Sequence, residues 1–498
     1  MLDEAAVRRQ KLEHARELGM DPYPSTTNRS ATCREALAFF ETGDFEGKTV
    51  TLTGRLFTIR LHGGMLFADL WDETGKVQLA FKQDNLGEKP FQELCDLVDP
   101  GDIVEAVGTL FVTKRGEKSL EISSWRLLTK ALLPLPEKWH GLQDVEQRFR
   151  KRYLDLLMNP EARLRLLSRT KMIASIRALM GEHGFIEVET PTLQPVYGGG
   201  FARPFKTHHN ALDTDFYLRI SDEMYLKRLI VGGLERVYEI TKVFRNEGID
   251  HDHSPEFTMF EAQIAYQDYR FGMDLFEEIF ERASIATSGG TEITHGDVTI
   301  NVKRPWKRLS LVDAVKEIGK VDVSKWKNVE DAKKFLATKL KEPRKVTELE
   351  RMKTLGEVIA FAFEELVEEK LIQPTIIYDY PVEVSPLAKK KADDPAFTER
   401  FETFALGSEI GNNYSELNDP VDLEKRFVEE KKKEAAGFEE AHQTDEEYLE
   451  AIRHGMPPTC GLGIGIDRMA MLLTGAENIK EVVFFPTLRP KEKEEEEA

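Results

Sequence analysis

"FRNEGIDHDHSPEFTMFEAQ", residues 244–263, decides how this chain is read. Its first half carries six charged or imidazole side chains ahead of Glu256; its second half turns apolar and runs through "EFTMF" into a second acid, Glu261. The residues before it, "RVYEITKVF", are β-branched and aromatic in the manner of a strand. The expectation is two strands joined by the loop "IDHDHSP". Arg245 and Glu247 alternate and share a face on the first; Phe257, Met259 and Glu261 share one on the second, continued by Gln263. An arginine, a loop histidine (His253), an aromatic ring and two acids then converge over a sheet. A planar guanidinium suits a phosphate or carboxylate. Phe257 can stack on a base, and Glu261 can hold an ammonium. A salt-bridged surface hairpin accounts for the same letters equally well. "HDH" sets His251 and His253 two apart, with no third ligand in view, and such a pair is weak evidence for a metal. A non-metal role is expected for His253 and none for His251.

Two further segments are chemically loaded. "FETFALGSEIGNNYSELND" interleaves Glu402, Glu409, Asn412 and Glu416 with Phe401, Phe404, Leu406 and Ile410 in what reads as a strand-like segment. Acids buried at this density repel unless cations join them. Carboxylates together with substrate phosphates hold Mg2+, and acids also bind ammonium groups. "GLGIGIDRM" alternates Gly461, Gly463 and Gly465 before Arg468 opens a helix. Alternating glycines clear one face of a strand for a flat ligand or another backbone, and an arginine just beyond reaches polyphosphate. Close strand–helix packing explains the glycines but not the arginine. No "GxxxxGK[ST]" or "GxSxG" stretch is present.

Outward from these segments the chain divides into three. Residues 1–45 read as a helical extension. Residues 46–135 hold about five short β-rich runs and one helix, "PFQELCDLV", the pattern of an OB-type barrel. Arg60, Phe67 and Gln78 fall on its successive strands, a stacking platform beside a cation of the kind that holds single-stranded bases. Residues 136–498, after a Pro-punctuated linker, read as an antiparallel α+β domain. Its helical insertion covers about 268–370, with 320–348 a lysine-rich surface stretch. The absence of regular β-α alternation argues against a Rossmann fold.

At 498 residues the chain exceeds one hydrophobic core. No apolar run reaches membrane-spanning length, and the charged start "MLDEAAVRRQKLEHAREL" lacks the apolar core of a signal peptide. Cys33, Cys95 and Cys460 are scattered, which fits a reducing compartment, and the cytoplasm is expected. A net charge of −19, deepened by the tail "KEKEEEEA", argues against DNA binding but leaves room for a local basic face. Arg8, Arg9 and Lys11, and "RFRKR" at 148–152, are the candidates, each also readable as a solvated helix face.

With these motifs in hand the sequence resembles the class II lysyl-tRNA synthetases over nearly its whole length. "FIEVETP" looks like the family's first motif, "VFRNEG" with "HSPEFTMFE" like the second, and "GLGIGIDRM" like the third. "GGGFARPFKTHHNALDTDFYLRISDEMYLKRLIVGG" and "EIGNNYSELND" resemble what sets the lysyl branch apart from the aspartyl and asparaginyl ones. The resemblance implies activation of L-lysine by ATP and its transfer to tRNA(Lys), with Mg2+ as cofactor, by a homodimer. It implies that Arg245 contacts the α-phosphate and the lysine carboxylate, that Glu247 and His253 hold the adenine and phosphate end, and that Phe257 stacks under adenine. Arg468 takes the γ-phosphate, Gly463 adjoins the nucleotide, and Asn412 sits beside the phosphates or substrate. Glu402 and Glu409 bind Mg2+. Gly199 and Glu223 receive the α-amino group, Glu261 and Glu416 the ε-ammonium, and Tyr414 the methylenes. Arg60, Phe67 and Gln78 match anticodon-reading positions. Ser254, Gln263 and Asp252 stand where the family usually has Asn, an aromatic and, in many bacterial-type members, Arg; a barrel acid is replaced near Ser124. A paralogue that joins a lysine-like amino acid to a protein is the rival enzyme, but such relatives typically lack the barrel. A non-catalytic nucleic-acid-binding protein would have lost the arginines or acids retained here.

Overall fold

The computed structural model describes residues 3–136, 142–200, 202–435 and 445–490. The acidic tail and the middle of the linker lie outside them. The chain forms two compact units, Met1–Leu142 and Gln143–Ala498.

In the first unit, α1 (Glu4–Glu17) and α2 (Cys33–Thr42) precede a closed barrel. Thr32 and Glu35 cap α2 reciprocally, and Gly43 ends it in the left-handed region (φ 81°). The barrel strands are β1 (Thr49–His62), β2 (Met65–Trp71), β3 (Lys76–Lys82), β4 (Ile103–Val112) and β5 (Lys118–Thr129), in the order β1-β2-β3-β5-β4. The β3–β5 pair is parallel and the others antiparallel. Alternate residues such as Leu66, Ala68 and Leu70 fill the interior. Helix α3 (Glu88–Leu97) buries Phe91, Leu94 and Leu97 against this unit. The basic letters near the start are not a free face. Arg8 is buried and donates to the carbonyls of Pro100 and Ala131, and Lys11 pairs with Asp99 at 2.6 Å. The second basic run is likewise committed: Arg148 and Arg152 both bind the buried Asp155.

The second unit is built on an eight-stranded sheet. Its strands are β6 (Ile186–Glu187), β7 (Arg236–Phe244), β8 (Glu256–Ala265), β9 (Lys307–Ser310), β10 (Thr375–Pro381), β11 (Phe397–Ala405), β12 (Ser408–Ser415) and β13 (Thr459–Gly465), ordered β9-β10-β11-β12-β13-β8-β7-β6. Only the outermost pairs are parallel. One face packs on α4 (Pro160–Glu182) and on α6 (Tyr269–Ser288), which follows α5 (Glu223–Val231) in the chain. Alternation on β8 sends Phe260, Ala262 and Ile264 into that core, with Ile176 and Phe280 from the helices. The odd-numbered residues of β8 are left for the opposite face.

Several expectations are corrected. Strand β7 ends at Phe244, so Arg245 and Glu247 lie on the connection and not on a strand face; the last rung is the Arg245 amide donating to Pro255 O at 2.9 Å. The acid-rich "strand" is a hairpin. It folds at Leu406 (φ 55°) and Gly407 (φ 76°), both in the left-handed region that a two-residue turn demands. The region around 268–370 is not wholly helical. Glu292–His295 and Val298–Asn301 form a hairpin of β-branched residues about Gly296, and β9 joins the main sheet. The 320–348 stretch is not only surface, because Val321, Trp326, Ala332 and Leu336 are buried with α7 (Leu355–Leu366) in a separate core. Its lysines are the outer face of amphipathic segments. The three cysteines are free thiols, and no described helix is long and apolar enough to cross a membrane.

Candidate active site

A cleft of about 440 Å3 opens on the face of the main sheet away from α4 and α6. That is a common size for a small-molecule site. Its floor is a lane of glycines. On β13, Gly461, Gly463 and Gly465 alternate toward the cleft, flanked in register by Gln263, Glu261 and Met259 of β8. On the other side Tyr414 pairs with Gly461 and Asn412 with Gly463. At about 3.3 Å per residue the lane runs about 13 Å. The glycine at the closed end leaves the space that the acid fills: a Cβ on Gly461 would run into Glu416 Oε1 and stand 2.8 Å from Gln263 Nε2.

The closed end is acidic. The Gln263 amide donates to Glu416 Oε1 at 2.9 Å, and the Tyr414 hydroxyl donates to Glu223 Oε1 at 2.7 Å. Ser221 Oγ donates to Glu261 at 2.8 Å. The Gly199 backbone (φ 82°) passes so close that a Cβ there would lie 2.7 Å from Ser221 Oγ and 3.1 Å from the Glu223 Cβ. Lys227 is the one buried cation bonded to this group among the described residues, in contact with Glu223 and Glu416. Burial pushes the Glu416 carboxyl up to about 8 against the pull of Lys227, with Glu223 adding to the rise. Burial, then Asp222 and Glu223, raise Glu261 well above the carboxylate range. Acids in this condition hold protons until another cation arrives.

The open end brings Arg245 and Arg468 together with Glu247 and Glu409. The Arg245 guanidinium lies 5.1 Å from the Phe257 ring centroid, and its Nε is buried without a hydrogen-bond partner among the described residues. Such a donor is costly to leave unpaired and fits an anion. Asp467, at the start of α8 (Ile466–Thr474), accepts from the Thr258 amide and from Arg169. That anchor aims the next residue, Arg468, at the cleft. Arg468 donates to Glu409 O at 3.1 Å and to His253 Nε2 at 3.1 Å. The other ring nitrogen of His253 faces Asp250 at 2.9 Å. Glu247 also lines this end.

The hairpin β11–β12 forms the remaining wall. Arg400 bridges it, donating to Asn412 Oδ1 at 3.0 Å and pairing with Glu402. Glu409 lines the cleft; Glu402 stands beside it but is not a lining residue. Burial and then the charge of Glu402 push the Glu409 carboxyl up to about 7. No group of three or more His, Cys, Asp or Glu placed to hold a metal occurs among the described residues, His251 and His253 included.

Residues 144–489 match the family described as tRNA synthetases class II (D, K and N), and residues 50–128 match the OB-fold nucleic acid binding domain. A lysine–tRNA ligase of Thermoanaerobacter pseudethanolicus is 49% identical over 97% of this chain and 96% of its own length. One of Bacillus subtilis is 46% identical over 98% of each, and lysine–tRNA ligase 2 of Methanosarcina acetivorans is 48% identical over 95% of this chain and 91% of its own. The chain belongs to the class II lysyl-tRNA synthetases.

In this synthetase the barrel residues singled out from sequence fall on one face. Arg60 pairs in register with Phe67, and Asp69 with Gln78. Arg60 reaches Asp69 at 3.6 Å, and Ser119 Oγ donates to Gln78 at 3.0 Å. Ser124 is exposed beyond a bulge in β5. Glu121, which sequence reading passed over, stands on this face in register with Ala80 and binds Lys82. Its signal was its place two residues after Ser119 on an alternating strand.

All the residues expected around ATP and lysine line one cleft of the synthetase, with Glu402 just behind it. Sequence reading missed Arg400, Ser221 and Lys227. Arg400 was signalled by standing two residues before Glu402. Lys227 was signalled by following Glu223 by one helical turn.

Proposed function

We propose that lysine and ATP lie end to end along the glycine lane. The chain activates L-lysine with ATP and transfers the lysyl group to tRNA(Lys). The observation that supports this placement is the polarity of the lane, with acids at its closed end and unpaired arginine at its open end. The ε-ammonium sits against Glu416 and Glu261, Tyr414 flanks the methylenes, and the α-amino group meets Gly199 and Glu223. The carboxylate then points to Arg245, which also takes the α-phosphate. Phe257 stacks on adenine, Glu247 and His253 hold the adenine and phosphate end, Gly463 lies under the nucleotide, Asn412 sits beside the phosphates, and Arg468 takes the γ-phosphate.

The reaction needs no enzyme nucleophile. A lysine carboxylate oxygen attacks the α-phosphorus, the bond to the bridging oxygen breaks, and pyrophosphate leaves. A terminal ribose hydroxyl of tRNA then attacks the lysyl carbonyl, releasing AMP. Holding two anions together and offsetting their charge is the work of Arg245 and Arg468. The raised Glu409 carboxyl beside Glu402 suits a divalent cation completed by substrate phosphates, so Mg2+ is proposed there. When bound it would neutralise phosphate charge. Two acids around one ammonium reject apolar or shorter amino acids, because a mismatch leaves buried charge unpaired.

Arg60, Phe67 and Gln78 are proposed to read the anticodon, with 1–45, 46–135 and 136–498 as extension, barrel and catalytic part. A homodimer and a cytoplasmic location are proposed too. Exposed Leu164, Ile186 and Leu193, on and after α4, offer apolar surface for a second copy, and sedimentation tests it. ATP–pyrophosphate exchange with each amino acid tests the activity. Lysine-dependent exchange is expected; no exchange with any amino acid overturns the reading.

A further inference from the structure

Lys227 lies on α5 one turn after Glu223 and is wholly buried. It does not line the cleft, but Glu223 and Glu416 do. Its ammonium bonds Glu223 Oε1 and lies 2.5 Å from Glu416 Oε2. The rings of Tyr414 and Tyr448 stand 5.4 Å and 5.9 Å from it. Burial alone would lower a lysine's pKa, yet the two carboxylates carry this one well above its ordinary value, so it stays charged. From the opposite side the Gln263 amide holds Glu416 Oε1. Glu416 is therefore hydrogen-bonded at Oε1 and ion-paired at Oε2. A carboxylate has about four lone-pair sites, so acceptor capacity toward the cleft remains.

Stability does not explain such a group, since apolar side chains of similar volume commonly serve as well or better than a buried ion pair. Geometry does. The cation sits behind the wall, at the one point both acids reach. We propose that Lys227 is a positioning residue for amino-acid recognition. It is an ammonium supplied by the chain itself that ties the Glu223 and Glu416 carboxylates together behind the cleft, and so sets the spacing between the acid at the α-amino end and the acid at the ε-ammonium end. The inference rests on the placement of lysine proposed above. Without Lys227 the two acids lose the one partner they share among the described residues and are free to separate. The incoming ammonium then meets a displaced acceptor. Ornithine, one methylene shorter than lysine, is disfavoured by the fixed spacing and regains ground when the spacing slackens.

The test is ATP–pyrophosphate exchange by the full chain carrying Lys227→Met, with lysine, ornithine and ATP varied in turn. Lysine KM is expected to rise about 30-fold or more while ATP KM stays within about twofold, the size that truncating one partner of a buried charge pair produces. The lysine-to-ornithine ratio of kcat/KM is expected to fall about tenfold. Unchanged lysine KM overturns the inference, as does an equal loss in lysine KM, ATP KM and kcat. If Lys227→Met does not fold, Lys227→Met with Glu223→Gln removes the stranded acid and is compared with Glu223→Gln alone, so that only the further change in lysine KM and in the ornithine ratio is assigned to Lys227. Failure of both to fold makes Lys227 a folding element and also overturns it. Glu416→Gln is assayed alongside. If it leaves lysine KM unchanged, the placement of lysine and the inference both fall; if it raises lysine KM while Lys227→Met does not, only the inference falls.

Discussion

With its ε-ammonium placed as proposed against Glu416, lysine binding is expected to release a proton. Glu416 faces Lys227 and Glu223 from α5, Gln263 from β8, Tyr414 from β12 and the Tyr448 ring. Among them burial lifts its carboxyl from 4.5 to about 8. Burial and then Glu239 raise Asp222 to about 7. At pH 6 these groups carry protons in the free protein. An arriving ammonium favours the carboxylate and lowers its pKa. The free protein therefore binds more protons than the complex, so affinity for lysine rises with pH and levels off above the free-protein value, about 8 for Glu416. One proton released is a tenfold change per pH unit well below that value, about 1.4 kcal/mol, and hence a fall in lysine KM of about 50-fold between roughly pH 6 and pH 8. Exchange kinetics at saturating ATP measure the slope. Calorimetry in two buffers of different ionisation heat counts the proton. Glu416→Gln should flatten the slope by about tenfold per pH unit. The same raised carboxyls bind protons more tightly folded than unfolded, so they take stability away from the ligand-free protein as pH rises from 4.5 toward 8. The thermal shift produced by lysine should accordingly grow over that window. A lysine KM that varies less than about twofold, or that falls as the pH is lowered, refutes the reasoning.

Three further outcomes follow from other parts of the molecule. Arg245→Gln should cut lysine-dependent exchange by about 100-fold or more, since on the placement proposed it removes the donor that meets developing phosphate charge; activity within about threefold of the parent would remove Arg245 from the chemistry. Gly461→Ala, whose Cβ meets the Glu416–Gln263 pair, should raise lysine KM about tenfold with ATP KM unmoved, and equal effects on both substrates would contradict the lane assignment. Phe67→Ala should raise the KM for tRNA in lysyl transfer about tenfold through a lost base stack, leaving exchange untouched; a parallel loss in exchange would count against a barrel role confined to tRNA.

How much of this was legible beforehand depended on period. On β8 a two-residue alternation separates Phe260 and Ala262 from Met259 and Glu261, so the strand and its two faces could be read from the letters. The glycine lane was legible for the same reason. The hairpin turn at Leu406–Gly407 was not. A leucine in the left-handed region carries no Asn-Gly or Asp-Gly signature, and tertiary pairing of β11 with β12 holds it there. Arg245 and Glu247 were read one step too far along β7, because strand ends are set by hydrogen bonds that Pro255 terminates. Lys227 hid among ordinary helix letters. Its burial depends on Glu416, 189 positions away in the chain, and no local pattern reports a partner at that distance.

The connection between β7 and β8 has a consequence for how such a protein can change. Arg245, Glu247 and His253 sit on that connection, whereas Met259, Glu261 and Gln263 are spaced along the strand that follows. On the placement proposed above, the connection carries the phosphate contacts while Glu261 and Gln263 on the paired strand meet the amino acid, and the two sets are consecutive in the chain. A substitution at Gln263 then bears on which side chain is admitted while the Arg245 connection stays in place. New substrate preferences on this scaffold should accordingly arise by single letters in that row, leaving the adenylation chemistry inherited intact.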